Sequence, residues 1–180
     1  MILSPDSLTP ELIREISFRS RCLPMPVAQT SRLLLRELSE NDLSGLLQLQ
    51  QENKKNPGGC FFPKNCTAPD DFLKDYIKHQ YYCYGYGIFG IFSKANDAFM
   101  GIAGFSTTDL SCADAEISYA LLKRYQRHGY AREALKSLLA QAGQKWQIHR
   151  LTARIAPGNL PSVRLAKDLS IPFTIQSESS

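Results

Sequence analysis

The sequence predicts one α/β domain in which helices flank a central β-sheet. Three observations support this prediction: two neighbouring runs rich in aromatic and β-branched residues, a strand with alternating side chains after them, and an amphipathic helix that follows this strand. The length of 180 residues suits a single domain, and 43% hydrophobic residues are enough for a substantial core. We find no internal repeat, low-complexity tract or flexible interdomain linker in the sequence.

The composition argues against two classes of protein. The net charge of +4 and the pI near 8.8 are mildly basic, well short of the footprint of a dedicated nucleic-acid binder, and an anionic small ligand explains them equally well. No apolar run reaches membrane-spanning length, and acidic residues among the first prolines interrupt any secretion signal. We therefore expect a cytoplasmic protein that does not enter a membrane.

The cysteines and histidines do not follow a metal-binding pattern. The cysteines form an odd set without a C-x-x-C pair, and the three histidines do not lie at ligand spacing from them. We therefore predict no metal site, and free thiols in a reducing compartment. The five cysteines are Cys22, Cys60, Cys66, Cys83 and Cys112.

The first residues predict an arm, residues 1–29, that precedes the main pattern. Thr9 and Pro10 form a helix start with a cap and a first-turn proline, so we predict a short helix over Glu11–Arg19. The arginines of this arm are expected to be solvated.

The main domain, residues 30–180, begins with a predicted strand over Arg32–Leu38. Ser39, with Asp42 three residues later, resembles a capping box, and a helix is predicted over Asn41–Gln51. A second helix is predicted from Pro69 to about His79 because acidic residues in its first turn favour the helix dipole.

The middle of the chain predicts a hairpin and a further strand. Tyr84–Ser93 and Ala98–Thr107 are rich in strand-forming residues and are separated by a short polar turn. The strand Ala115–Leu122 alternates between two faces. One face carries Glu116, Ser118 and Ala120, and the other carries Ile117, Tyr119 and Leu121.

The last third predicts a helix over Tyr130–Gln144, with an apolar stripe that packs on the sheet. A strand over His149–Ala156 and a helix over Pro161–Leu169 follow, joined by a Pro-Gly-Asn turn.

The loop before the helix at Tyr130 is a candidate anion site. Gly129 allows a positive φ and close backbone approach, Ala131 leaves room in the first turn, and the unpaired N–H groups of a helix start favour phosphate oxygens. An ordinary strand-to-helix turn with a solvated basic rim is the alternative. The basic residues nearby are Lys123, Arg124, Arg127, His128 and Arg132.

Four landmarks, in order, resemble the GCN5-related N-acetyltransferase (GNAT) superfamily, and within it the branch that acetylates ribosomal-protein amino termini. The resemblance covers about Ser31 to Leu169. It implies a mixed, mostly antiparallel sheet flanked by helices. The landmarks are Thr30–Arg36, the strand Ala115–Tyr119, the pattern Gln126-x-x-Gly129-x-Ala131 leading into Arg132–Leu135, and Asn159-x-x-Ser162.

The resemblance implies acetyl-CoA, or another acyl-CoA, as co-substrate. Its pyrophosphate would lie on the backbone amides of the loop, and its pantetheine arm beside the end of the central strand, where Asn159 resembles the family residue that hydrogen-bonds the arm. A turn-shaping and helix-capping role for Asn159 is also open. The implied cofactor-binding residues are Tyr119, Ala120, Leu121, Gln126, Arg127, His128, Gly129, Tyr130, Ala131, Arg132, Asn159 and Ser162.

Acyl transfer to an amine needs a proton acceptor, a stabilised oxyanion and a protonated leaving group. We predict Glu116 as the proton acceptor, through water, with a salt-bridged structural carboxylate as the alternative. Backbone N–H groups near Tyr119 and Ala120 are the expected oxyanion donors. Many relatives have a tyrosine on the last helix that acts as general acid. Ser162 lies in the matching region, and it could hydrogen-bond the thiol or the cofactor, or simply cap the helix. Tyr119 itself is interpreted as a core aromatic residue.

The sequence departs from the family pattern near its end. We expect one short strand over Phe173–Gln176 in place of the usual pair, so the domain has a shortened C-terminal end, and the sheet would have an edge that a second copy in a homodimer or the arm could cover. Ser118 also stands where relatives often have glycine.

Three functions remain open at this point. The leading one is acetyl transfer to a primary amine, with a protein or peptide amino terminus as acceptor and a small-molecule amine or lysine as the alternative. A non-catalytic acyl-CoA binder is the second. The third is an RNA- or ribosome-binding module that uses the basic loop with Tyr81, Tyr82 and Tyr84, aromatics that are expected to pack in the sheet.

Overall fold

A computed structural model describes residues 9–21, 23–53, 60–107 and 114–176. These residues form five α-helices and seven β-strands. None of the described helices has the length and apolar character needed to cross a membrane. In chain order the elements are α1 Pro10–Ser20, β1 Pro26–Gln29, β2 Leu33–Arg36, α2 Leu43–Glu52, α3 Pro69–Tyr76, β3 Ile88–Ser93, β4 Phe99–Thr107, β5 Asp114–Leu121, α4 Tyr130–Trp146, β6 Arg150–Ile155, α5 Leu160–Asp168 and β7 Phe173–Ile175.

The seven strands form one sheet in chain order, β1 to β7. The first five are antiparallel to their neighbours, whereas β6 runs parallel to β5 and β7 parallel to β6. Helices α4 and α5 make the two parallel crossovers, as parallel neighbours require. The predicted mixed, mostly antiparallel sheet flanked by helices is therefore confirmed, and the short strand expected near residue 173 is present as β7.

The core lies under α4, where large rings meet. Trp146 at the end of α4 stacks on Phe89 of β3 with 5.7 Å between ring centroids, and it meets Phe105 of β4 edge-on at 5.5 Å. Both phenylalanines are fully buried. This packing fixes α4 on the strand pair β3–β4, and thereby fixes the amino end of α4 beside the end of β5.

The predicted arm is tied to the sheet more firmly than its sequence indicates. Residues 26–29, assigned to the arm, form strand β1 and pair with β2. The expectation of solvated arginines is wrong for Arg19, whose guanidinium binds both carboxylate oxygens of buried Glu37 at 2.7 and 2.8 Å. A bidentate pair of this kind anchors α1 to the sheet.

The start of the predicted hairpin needs a correction. β3 begins at Ile88, because helix α3 continues as a π-helical segment, Ile77–Tyr84, that ends at Gly85 with φ +70°. The three tyrosines expected in the sheet therefore lie on this segment. Tyr81 is buried and its hydroxyl donates to the Ile88 carbonyl, whereas Tyr82 and Tyr84 are exposed. The buried Tyr81 ring is therefore not accessible to a nucleic acid, and the three tyrosines do not form one binding surface.

The capping box is present, although the helix behind it starts later than predicted. The Asp42 carboxylate accepts from the Ser39 N–H at 2.7 Å, and Arg36 holds the same carboxylate at 2.8 and 2.9 Å. A single 3-10 turn, Glu40–Asp42, then precedes α2. The box fixes how the chain leaves β2 and enters α2.

Candidate functional site

A cleft opens in the sheet where β5 and β6 part. Their ladder contains only three pairs, from Asp114 with Arg150 to Glu116 with Thr152, and β5 then continues to Leu121 without β6 beside it. Backbone groups on that side of β5 are therefore left for a ligand, as the resemblance implied. Helix α5 closes the other side of the gap through Asn159, Ser162 and Leu165.

The strand directs the backbone amide of Tyr119, rather than that of Ala120, towards this cleft. A side chain on Gly101 of β4 would collide with the Ala120 carbonyl oxygen, so the Ala120 backbone points towards β4. The Leu121 carbonyl, one residue on, accepts from the Gln126 side chain at 2.9 Å on the opposite side. Because neighbouring residues of a strand point their backbone groups in alternate directions, the Tyr119 N–H faces the cleft. Of the two backbone amides predicted as oxyanion donors, that of Tyr119 faces the cleft and that of Ala120 faces β4.

The loop after β5 has the geometry predicted for an anion site. Gly129 is the cap residue of α4 with φ +80°, and Arg127 also adopts a left-handed φ of +63°. No side chain among the described residues caps this helix start. Helix α4 therefore presents its first amides and the positive end of its dipole to the cleft, which suits a diphosphate.

A network from the β1–β2 turn braces this helix start. Arg32 donates to the Glu133 carboxylate at 2.8 Å through Nε, contacts the His128 carbonyl at 3.3 Å, and lies 4.4 Å over the Tyr130 ring. Thr30 donates a further hydrogen bond to Glu133. Burial opposes ionisation of Glu133, but these hydrogen bonds outweigh it and lower the pKa of its carboxyl. Thr30 and Arg32 belong to a sequence landmark, yet nothing in the sequence pairs them with Glu133.

The donor cleft, as we name the groove between β5, the loop and α5, contains nearly every predicted cofactor residue. Its walls are Tyr119, Ala120, Leu121, Gln126, Arg127, Gly129, Tyr130, Ala131, Arg132, Asn159 and Ser162, together with Asn53, Pro161 and Leu165, which the sequence did not indicate. The exception is His128, whose ring stacks on Tyr130 and bonds back to the Gln126 carbonyl. Arg132 reaches across to Asp168 of α5 at 2.8 Å, linking the two helices that border the groove.

Three polar side chains converge where the donor cleft meets the sheet. The Asn159 amide oxygen accepts from the Ser162 N–H at 3.2 Å, so Asn159 does cap α5. The Ser162 and Tyr119 hydroxyls are 2.9 Å apart. Burial raises the pKa of the Tyr119 hydroxyl, although the bond with Ser162 works in the opposite direction, so this hydroxyl remains protonated at neutral pH. Tyr119 packs against the core, as expected for a core aromatic residue, and it also lines the groove beside Ser162.

Glu116 is ion-paired. Its carboxylate binds Arg154 of β6 through Nε at 2.6 Å and Nη2 at 2.5 Å, with 12% of the Glu116 side chain exposed. This contact matches the structural alternative to the catalytic prediction. The strand register nevertheless puts Glu116 on the same face as its neighbour Ser118 and its cross-strand partner Ser106. Both serines line a second cleft.

The second cleft, which we call the acceptor cleft, lies beside the first and shares Tyr119 with it. It encloses about 770 Å³, counted with its open mouth. Its walls are Cys60, Phe61, Tyr76, Gln80, Ile88, Ile102, Phe105, Ser106, Ser118 and Tyr119. Burial raises the pKa of the Cys60 thiol, against a smaller effect of Lys64, so this wall is uncharged. Most of these residues are ordinary apolar residues in sequence, and only the fold brings them together. The described part of the chain holds no cluster of three or more potential metal ligands.

Comparisons with known proteins agree with this geometry. An N-acetyltransferase of uncharacterised function from Bacillus licheniformis, p20, is 33% identical over 82 residues, which are 46% of this chain and 46% of that protein. A Bacillus subtilis N-acetyltransferase, YnaD, is 34% identical over 31% of this chain and 33% of its own length. The chain thus spans about half the length of the first of these curated relatives and a third of the second.

Solved structures show the same fold at lower identity. A GNAT-family acetyltransferase from Bacillus anthracis superposes with a TM-score of 0.64 at 20% identity, over 79% of this chain and 81% of that one. The ribosomal-protein-S5-alanine acetyltransferase of Vibrio fischeri gives 0.64 at 18% identity over the same shares. The sequence model of the family described as "Acetyltransferase (GNAT) domain" matches residues 32–170, which include β2 to α5 and both clefts. The chain belongs to the GNAT acetyltransferase family.

Proposed function

We propose that this chain transfers an acetyl group from acetyl-CoA to a primary amine, with a protein or peptide amino terminus as the leading acceptor. The observation that carries the proposal is the junction of two features: a strand edge left free by the parting of β5 and β6, and an uncapped helix start at Gly129. The first suits an extended amide-bearing arm and the second a diphosphate. Membership of the GNAT family supports the same donor.

The residues of the donor cleft would hold acetyl-CoA by distinct means. The first amides of α4, with Arg127 beside them, suit the diphosphate, and the free edge of β5 from Ile117 to Leu121 suits the arm. Asn159 uses its amide oxygen to cap α5, which leaves its NH₂ group to donate to the arm. When bound, acetyl-CoA supplies a thioester that an amine nitrogen can attack, with the thiolate as leaving group.

Proton transfer is assigned to the residues where the clefts meet. Glu116 receives, through water, the proton that the amine nitrogen loses as the new C–N bond forms. The Tyr119 N–H donates to the carbonyl oxygen as negative charge develops there. Ser162 supplies a proton to the departing sulfur as the C–S bond breaks, and the Tyr119 hydroxyl, 2.9 Å away, replaces it. One proton leaves nitrogen and one reaches sulfur, so the step needs no oxidant or reductant.

An α-amino group suits this machinery better than an unperturbed lysine. About 10% of an α-amine is neutral at pH 7, against less than about 0.1% of a lysine amine, from their reference pKa values. The Glu116 carboxylate is already paired with Arg154, and an α-amine, which is more often neutral, depends less on a proton acceptor. This difference supports an amino terminus as the leading acceptor.

The test is CoA release from acetyl-CoA with a mixed library of peptides and polyamines, run beside a direct titration of acetyl-CoA. We expect saturable donor binding and release of CoA that depends on an added amine. Donor binding without turnover on any amine would support the alternative, a non-catalytic acyl-CoA binder. Absence of donor binding would refute both functions.

A further inference from the structure

We infer that the acceptor cleft selects a primary amine carried next to an apolar or aromatic group, not a polyamine or an amine beside a charged group. The inference rests on the proposed function, because it takes the acceptor cleft as the place where the amine waits. It concerns the chemistry of the cleft wall, which neither the family membership nor the names of the relatives specify.

The wall of the acceptor cleft carries no charged side chain among the residues the structure describes. Phe61 is central to it: the ring lies edge-on to Phe62 at 5.0 Å, to Tyr76 at 4.8 Å and to Phe72 at 5.8 Å. Such a ring cluster forms a fixed apolar surface, and its packing leaves little freedom to admit a hydrated charge. An apolar or aromatic substituent would replace water on this surface at little cost.

The polar groups of the wall are few and neutral. Tyr76 uses its hydroxyl to accept the Ile88 N–H at 2.6 Å, so the phenol is committed to the backbone. Gln80 donates its amide to the Tyr86 carbonyl at 3.1 Å, which fixes the side chain and leaves its oxygen to accept an N–H. This oxygen and the hydroxyls of Ser106 and Ser118 are neutral acceptors that can orient an amine or peptide N–H. Neutral acceptors cannot balance the two or three charges of a polyamine.

The charged side chains of β5 and β6 on the same sheet face neutralise one another. Asp114 pairs with Arg150 at 2.5 Å, and Glu116 pairs with Arg154. A cationic acceptor would therefore meet paired carboxylates in place of free ones. The Glu116 carboxylate lies beside the cleft wall by register, where it can take one proton without offering a binding site for several cations.

Two sources fit this chemistry: a small arylalkylamine and a peptide whose first residue is apolar. The experiment is a calorimetric titration of CoA-saturated protein with β-phenethylamine, spermidine, and tripeptide amides that differ only in a first residue of Phe, Leu, Ser or Asp. We expect β-phenethylamine and the Phe and Leu peptides to bind at least about 10-fold more tightly than the Ser and Asp peptides and spermidine. A Phe peptide that outbinds β-phenethylamine indicates a chain terminus as the source, and equal affinity indicates a small amine.

Two variants test the wall itself. Phe61→Ala should weaken binding of the aromatic ligands by about 5- to 10-fold and leave the Ser peptide unchanged. Because Phe61 also packs against neighbours, Ser106→Asp, on an exposed strand position, adds a carboxylate instead and should raise spermidine affinity. Ser44→Asp, exposed on α2, is the control for net charge.

Equal binding of spermidine or the Ser peptide, no binding of any amine, or unchanged selectivity in both variants would overturn the inference. Because the titration measures binding, its result does not depend on whether the protein turns over the amine. Selective binding without CoA release would refute the proposed acetyl transfer and leave the selectivity of the cleft established.

Discussion

The donor and acceptor clefts share Tyr119 but are built in opposite ways. The donor cleft offers the free backbone edge of β5 and the first amides of α4, and its side chains come from two segments, residues 119–132 and 159–165, together with Asn53. The acceptor cleft is made of side chains from distant segments, the aromatic stretch around Phe61, the helix from Pro69 to Tyr84 and three strands. Backbone groups are present in any sequence that adopts this fold, whereas side chains differ from one sequence to another. The comparison therefore separates what the family fixes from what this chain decides.

The largest effect is expected at Gly129. A β-branched residue at φ +80° is strained by about 1–3 kcal/mol and would shift the amides at the start of α4. Gly129→Val should weaken acetyl-CoA binding by about 100-fold and leave amine binding in the acceptor cleft unchanged, as measured by separate titrations. Gly85→Val, at φ +70° directly after the π-helical segment, is the control for strain away from the donor cleft. Equal loss of donor affinity in both variants would contradict the loop assignment.

A second prediction concerns the pair between the clefts. Glu116→Gln should lower kcat/KM by about 30-fold, because an α-amine is partly neutral at pH 7 and needs only moderate general-base catalysis. Arg154→Gln leaves the carboxylate in place and should cost only a few-fold, as measured by CoA release across pH 6–9. Matching losses in the two variants would mean that Glu116 serves only as a structural partner, and proton transfer would then belong to water.

A third prediction sharpens the role of the shared residue. Tyr119→Phe and Ser162→Ala should each lower kcat by about 10-fold with little change in donor affinity, and the double variant should lose no more than the worse single one, because both act on the same proton. Since burial raises the pKa of Tyr119 above its ordinary value of 10.0, loss of activity from its ionisation is expected only at a higher pH than for an ordinary tyrosine. Tyr125→Phe, a half-buried tyrosine beside Tyr130, is the control. Additive losses would show that the two hydroxyls act separately.

The smallest effect concerns the brace behind the donor cleft. The folded-state pKa of Glu133 lies below its ordinary value near 4.5, so its contribution to stability is complete above that value and is lost as the pH falls through the lowered pKa. Glu133→Gln should lower Tm by about 2–4 °C at pH 7, the shift expected for about 1 kcal/mol. The difference between the two proteins should shrink below pH 4.5. Thermal melts at pH 7 and pH 3.5 measure it, and a constant difference would place the effect outside this carboxylate.

Most residues that line the donor cleft could be grouped from the sequence because they lie in two short local motifs. A glycine at a helix start, an alternating strand and an Asn-x-x-Ser turn each report their own backbone geometry, and the family spacing fixes their order. His128 is the exception among the loop residues, since a ring at an exposed loop position can turn either way. The acceptor cleft escaped prediction because Phe61, Gln80 and Ser106 meet only through the sheet.

The misplaced elements have a common physical cause. The π-helical segment holds Tyr81 between the Ile88 carbonyl and the Leu38 N–H, two contacts distant in sequence that override the strand-forming tendency of its tyrosines. Likewise, β1 is a strand because β2 pairs with it, and Arg19 is held because Glu37 lies buried beneath it. In each instance, contacts with residues distant in sequence determine the local structure.

The short ladder between β5 and β6 divides the sheet into unequal mechanical parts. Ladders of five and seven pairs join β3 to β4 and β4 to β5, whereas β6, α5 and β7 are joined to β5 by three residue pairs and to α4 by side-chain contacts such as Arg132 with Asp168. This second part should open at a lower free energy than β3 to β5, so its amides should exchange with solvent before theirs. A ligand lying in the gap would act as a temporary eighth strand and slow that exchange. The segment from β6 to β7 should therefore report donor binding through the exchange rate of its amides.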